Sequence, residues 1–199
     1  MNKMIQNNEL DNDIVTVSKL QVALQSSALS LQSELSELTL EADTETTQGL
    51  QKLLEEAALV LLRNADNWTH VLGSSQTIDR REEAETVFNR LSIEERSKFS
   101  AETLTNVDGK IRQREVVESD RNQGTTAYIV VTLLIGTADD RPLFGKIDSA
   151  QAMQEALKNV AAMRSDYLMV FELLWSPQVE TDTLTEAELA TEYADLVPI

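Results

Sequence analysis

The chain holds a single histidine, His70, and no cysteine in 199 residues. Thiolate chemistry is absent, and imidazole chemistry rests on one side chain. A metal at His70 would need carboxylates to complete its shell, and the neighbours Trp68, Thr69 and Val71 suit a packed or surface histidine better. Asp139 and Asp140 follow an apolar run and precede Arg141 and Pro142. Strand ends host catalytic acids, yet two aspartates ahead of a proline also make a turn, and the turn is the reading adopted. No nucleophile elbow, glycine-rich phosphate loop, paired-histidine zinc helix or calcium-loop spacing occurs. No catalytic, cofactor-binding or metal-binding residue is therefore assigned. A metal-dependent hydrolase built on Asp and Glu pairs stays as the alternative to a non-enzymatic role.

Ionic and apolar contacts are what remain. Residues 80 to 121 hold nine of the seventeen Lys and Arg, but also ten acids, as expected of a solvated helix face with pairs such as Glu94 to Lys98. Within it Lys110, Arg112 and Arg114 alternate in a polar stretch and could anchor an acidic partner or a lipid headgroup. From Ser165 onward there are eight acids and no Lys or Arg. Glu186, Glu188 and Glu192 are the candidate contacts of that acidic end with a basic partner. Trp68 and Trp175, the two tryptophans, are candidate interface anchors, with partial burial against a helix as the competing role.

The formal net charge of −17 disfavours nucleic acid, whose phosphates demand clustered cations. Residues 1–13 are polar and include Glu9, Asp11 and Asp13, unlike a signal peptide, and are expected to be a flexible segment ahead of one domain over 14–199. No apolar run approaches the ~20 residues that span a bilayer. The lack of cysteine fits a reducing compartment.

Periodicity supplies the elements that must position these side chains. Ile14, Thr16, Leu20, Val22 and Leu24 recur at period two, a strand; Leu31, Leu35, Leu38 and Ala42 recur at three and four, a helix. Asp43 to Thr47 can cap a second helix, carried by Leu50, Leu53, Leu54, Ala57 and Leu61 and ending near Asn64. Trp68 to Ile78 reads as a strand interrupted at Gly73 to Ser75. Asp79 with Glu82, and Ser92 with Glu95, read as capping boxes flanking a short apolar face of Ala84, Val87, Phe88 and Leu91. Asp108 to Thr125 is polar, a loop. A strand over Ala127 to Thr137, a helix over Ser149 to Met163 and a strand over Tyr167 to Trp175 follow. Thr185 with Glu188 makes a capping box, Leu184 with Leu189 a hydrophobic staple, and the helix runs to about Tyr193 before an extended end.

The expected fold is α+β: one domain with a mixed sheet of about four strands, packed on one face by helices, in the order β-α-α-β-α-β-α-β-α. The strands at 127–137 and 167–175 are expected to be central and parallel, joined by a right-handed crossover.

Four stretches carry a family resemblance: LLRNADNW at Leu61 to Trp68, LSIEERSKFSAETLTNVDG at Leu91 to Gly109, YIVVTLLIG at Tyr128 to Gly136, and the end from Glu172 to Ile199. With them the chain resembles, from about Val15 to Ile199, a family of unknown function from cyanobacteria and chloroplasts whose plant members include the fluctuating-light acclimation protein. The resemblance implies a non-enzymatic regulatory or interaction role in photosynthesis, with a protein partner, no cofactor, and a cytosolic place in a cyanobacterium or at the thylakoid periphery. The plant members carry membrane-spanning segments ahead of the shared domain, and no matching segment is found here.

Overall fold

The computed structural model describes residues 8–25, 30–103, 127–178 and 182–199. The loop expected over 108–125, with Lys110, Arg112 and Arg114, lies outside them, as do residues 1–7 of the N-terminal segment.

The first strand, β1 (Val15–Gln25), is buried along nearly its whole length. It pairs antiparallel with β2 (Trp68–Ile78) on one side and β3 (Ala127–Thr137) on the other. β4 (Leu168–Ser176) lies outside β3, and the two-residue β6 (Val197–Pro198) outside β2; the two-residue β5 (Leu184–Thr185) also pairs with β3. Among the described residues the sheet has six strands, and every pairing is antiparallel.

The α+β class holds, but three expectations are corrected. First, β3 and β4 are antiparallel, and β4 is an edge strand. The connection explains this. After β3 the chain crosses the sheet face: Thr16 Oγ1 donates to the carbonyls of Asp139 and Arg141, Leu143 N–H donates to Ser75 Oγ, and Ile147 packs on Gly73. That loop makes the descent which a parallel crossover would leave to its helix. α4 (Ala150–Ala161) then brings the chain back to the end of β3, where Ala138 N–H donates to the carbonyl of Tyr167.

Second, helices cover both faces. α1 (Leu31–Glu41), α2 (Thr47–Arg63) and α4 pack on the face of Leu20, Val22 and Leu24. α3 (Arg81–Thr103) and α5 (Glu186–Glu192) pack on the face of Val15, Val17 and Ala23. A strand buried on both faces loses the clean alternation that would have revealed this.

Third, β2 is uninterrupted. Gly73, Ser74 and Ser75 pair with Leu20, Lys19 and Ser18. A Cβ on Gly73 would stand 2.2 Å from Ile147 Cγ1, so the glycine admits the loop and breaks nothing.

The caps of two helices match expectation. Thr46 Oγ1 accepts from Gly49 N–H at the start of α2, which ends at Arg63 against Asn64. Thr185 and Glu188 form the reciprocal box at the start of α5. The other two boxes do not form. The first bond of α3 runs from Ala84 N–H to the carbonyl of Arg80, and the helix passes through Ser92 and Glu95 without a break.

Candidate functional site

The sheet face under α3 and α5 gathers the charged chemistry of the described chain. It begins with an anomaly in β1, where Lys19 and Gln21 occupy inward positions among Val15, Val17 and Ala23. Cross-strand neighbours complete the patch, since Gln21 lies opposite Thr132. Above them Glu95, one helical step along the stripe of Ala84, Phe88 and Ser92, points down from α3 and is 2% exposed.

A buried carboxylate requires cations and donors around it, and Glu95 has them. Lys19 Nζ stands 3.2 Å from Oε1, Lys98 Nζ 3.0 Å from each oxygen, and Gln21 Nε2 donates to Oε2 at 2.8 Å. The Gln21 amide also donates to Thr132 Oγ1 at 2.9 Å. Lys98 therefore pairs with Glu95 and not with the expected Glu94, which faces Arg90 at 3.9 Å. Lys98 Nζ lies 4.3 Å from the ring centre of Tyr193, a cation–π contact that ties α3 to the chain's acidic end. Beside it Glu172 of β4 accepts from Ser92 Oγ at 2.7 Å and pairs with Arg96 at 3.2 Å.

The spacing of Glu95 from Ser92 reads as a helix cap and not as a buried ionic centre. Its signal was present: a Glu on the inward stripe of an amphipathic helix, matched by Lys and Gln at inward positions of an apolar strand.

The acidic end is built onto this face. Leu184, Leu189, Tyr193 and Leu196 are buried with Ala23, Tyr128 and Val130, so α5 is anchored by the expected staple residues. Glu186 and Glu192 are exposed, and among the described residues neither makes an ion pair, while Glu188 is engaged in the capping box. The chain end returns to β2, where Ile199 N–H donates to the carbonyl of Thr69.

The two tryptophans sit in packing positions. Trp68 is 7% exposed and its indole donates to the carbonyl of Leu61 at 3.1 Å. Trp175 is half-buried against the main core, and its indole nitrogen is enclosed with no hydrogen-bond acceptor among the described residues. Neither is brought to the α5 surface.

His70 lies next to α5 in a small depression of about 220 Å³ that Glu186, Ala190 and Pro198 help to form. Its Nδ1 is 2.9 Å from Thr69 Oγ1, and its ring meets Tyr128 edge-on at 6.0 Å. Burial lowers its pKa from 6.5, with the Glu186 charge opposing. At the other end of β3, burial raises the pKa of Asp139 from 3.8, and the charges of Glu9 and Asp140 add to this. Asp140 accepts both contacts of Asn12 Nδ2, at 2.8 and 3.0 Å, so Asp140 anchors the loop next to the short helical turn Asn8–Asp11. Among the described residues no three His, Asp or Glu side chains converge closely enough to hold a metal ion.

A family described as protein of unknown function (DUF1517) matches residues 14–199. The chain belongs to the DUF1517 family. Its DUF1517 relatives include Protein FLAP1 homolog A of Synechocystis sp., 39% identical over 190 residues, covering 92% of this chain and 56% of the relative. Another is FLUCTUATING-LIGHT-ACCLIMATION protein 1, chloroplastic, of Arabidopsis thaliana, 36% identical over 189 residues, 95% of this chain and 48% of the relative. The chain spans about half the length of these curated DUF1517 relatives. No solved structure matches it.

Proposed function

We propose that this chain is a partner-binding module of light acclimation in photosynthetic cells, acting through contact and not through catalysis. Its relatives' names supply the process. One observation carries the mode of action: α5 is fastened by its capping box and by Leu184, Leu189 and Tyr193, and holds Glu186 and Glu192 outward with no Lys or Arg in the sequence beyond Ser165. A rigid acidic face costs little ordering entropy on docking and steers a basic partner toward it.

The partner in this reading is a protein with a basic surface, held in the cytosol or at the thylakoid periphery by ionic contact. Among the described residues no helix is long and apolar enough to cross a membrane. Lys110, Arg112 and Arg114 remain a candidate second contact, for an acidic group. The test is co-purification from a photosynthetic cell lysate with the intact chain and with Glu186→Lys/Glu192→Lys. A partner retained at low salt, released as salt rises and not retained by the variant is expected. A partner retained equally by both chains contradicts the acidic-face reading.

A further inference from the structure

The outer side of β4 carries a different feature. Among the described residues no strand pairs along this edge, although edges are commonly blunted by lysine, proline or very short length. β4 is nine residues, LMVFELLWS. Its one charge, Glu172, is turned under α3 to Ser92 and Arg96. The register slips beside Gly136, which faces Val170 while Thr137 faces Leu168, so Met169 has no counterpart on β3. Such bulges re-aim side chains at sheet edges, and Met169 and Val170 are 38% and 36% exposed.

Against this bulge lies a groove of about 370 Å³, with an apolar wall of Val15, Val17, Phe88 and Gly136. Its floor is open because Gly136 lacks a Cβ; one built there would stand 2.6 Å from Val170 Cγ1. Of the rim charges, Arg81 is turned toward Asp13 at 3.9 Å and Glu172 is held by Arg96. Glu85 is exposed and, among the described residues, makes no ion pair.

We propose that this edge docks an extended peptide segment of a partner protein, which adds a strand to β4, seats one apolar side chain in the groove and sets a Lys or Arg against Glu85. Main-chain pairing would give the affinity and the groove the selectivity. A second copy of the chain fits worse. It would bring another net −17 to the same edge, and like charge opposes self-pairing there. The groove lies at the Val15 end of the sheet face, whereas α5 covers the Ala23 end, so the proposal does not depend on the acidic helix.

The probe is a displayed library of random linear peptides about ten residues long, the length that a strand of this size can pair. It is selected on the intact chain and then compared with the Met169→Glu/Glu85→Lys variant, whose changes fall on exposed positions. Enriched peptides should carry an apolar residue and a nearby Lys or Arg, bind the variant at least about tenfold more weakly, and slow hydrogen exchange across Leu168 to Ser176. Glu186→Lys/Glu192→Lys should leave that binding unchanged, which separates failure here from failure of the acidic-face reading. No enrichment, acidic consensus peptides, undiminished binding to the variant or protection elsewhere would each overturn the proposal. Self-association abolished by the same variant would assign the edge to a second copy and overturn it too.

Discussion

At the scale of single residues, Glu95 shows what a buried charge demands. Its carboxylate is 2% exposed and its two lysines have side chains 13% and 20% exposed, so removing it leaves two cations poorly hydrated. Glu95→Ala is expected to cost about 3–5 kcal/mol, read as a lower urea midpoint. A loss below about 1 kcal/mol would mean that the lysines find water and that the seam is peripheral. Asp139 makes the converse case. Its pKa is raised by burial above the ordinary 3.8, so the folded state binds its proton more tightly than the unfolded state does. That contribution is present in acid and is lost as pH rises through the folded pKa. Asp139→Asn should therefore melt higher than the parent near neutral pH, with the gap closing toward pH 3.8 and below; a gap that stays constant with pH would exclude the ionisation as its cause.

At the scale of elements, α5 offers the sharpest prediction. Leu189 is 3% exposed and joins α5 to Ala23 and Tyr128, so Leu189→Ala should destabilise the whole fold by about 2–3 kcal/mol. Cutting the chain after Pro177 should lower its melting temperature as well, and an unchanged melting temperature would make the segment a detached tail. This helix was legible because its information is local: Thr185, Glu188, Leu184 and Leu189 span six positions and the structure joins them as read. β3 was legible for the same reason, its bounds at Ala127–Thr137 marked by a run of β-branched and apolar residues. The direction of β4 was not. It depends on a loop held by Thr16, Ser75 and Gly73, residues more than sixty positions away whose roles no local pattern announces. Glu95 stayed hidden for a related cause. The spacing from Ser92 to Glu95 fits a capping box, and only Lys19 and Gln21, far off in β1, show that the carboxylate is a core hub.

At the scale of the whole molecule, a chain of net charge −17 keeps its buried cations for internal pairing and leaves carboxylates to the surface. The seam around Glu95, the contact of Lys98 with Tyr193 and the capped α5 form one continuous support. On that support Glu186 and Glu192 are held outward, the face proposed to meet a partner. The most direct measurement is chlorophyll fluorescence under fluctuating light in a photosynthetic host that lacks its own copy and is complemented with the parent chain or with Glu186→Lys/Glu192→Lys. Both should accumulate and melt alike, since the two carboxylates carry no ion pair among the described residues, while only the parent restores acclimation. Full acclimation with the charge-reversed chain would contradict the account.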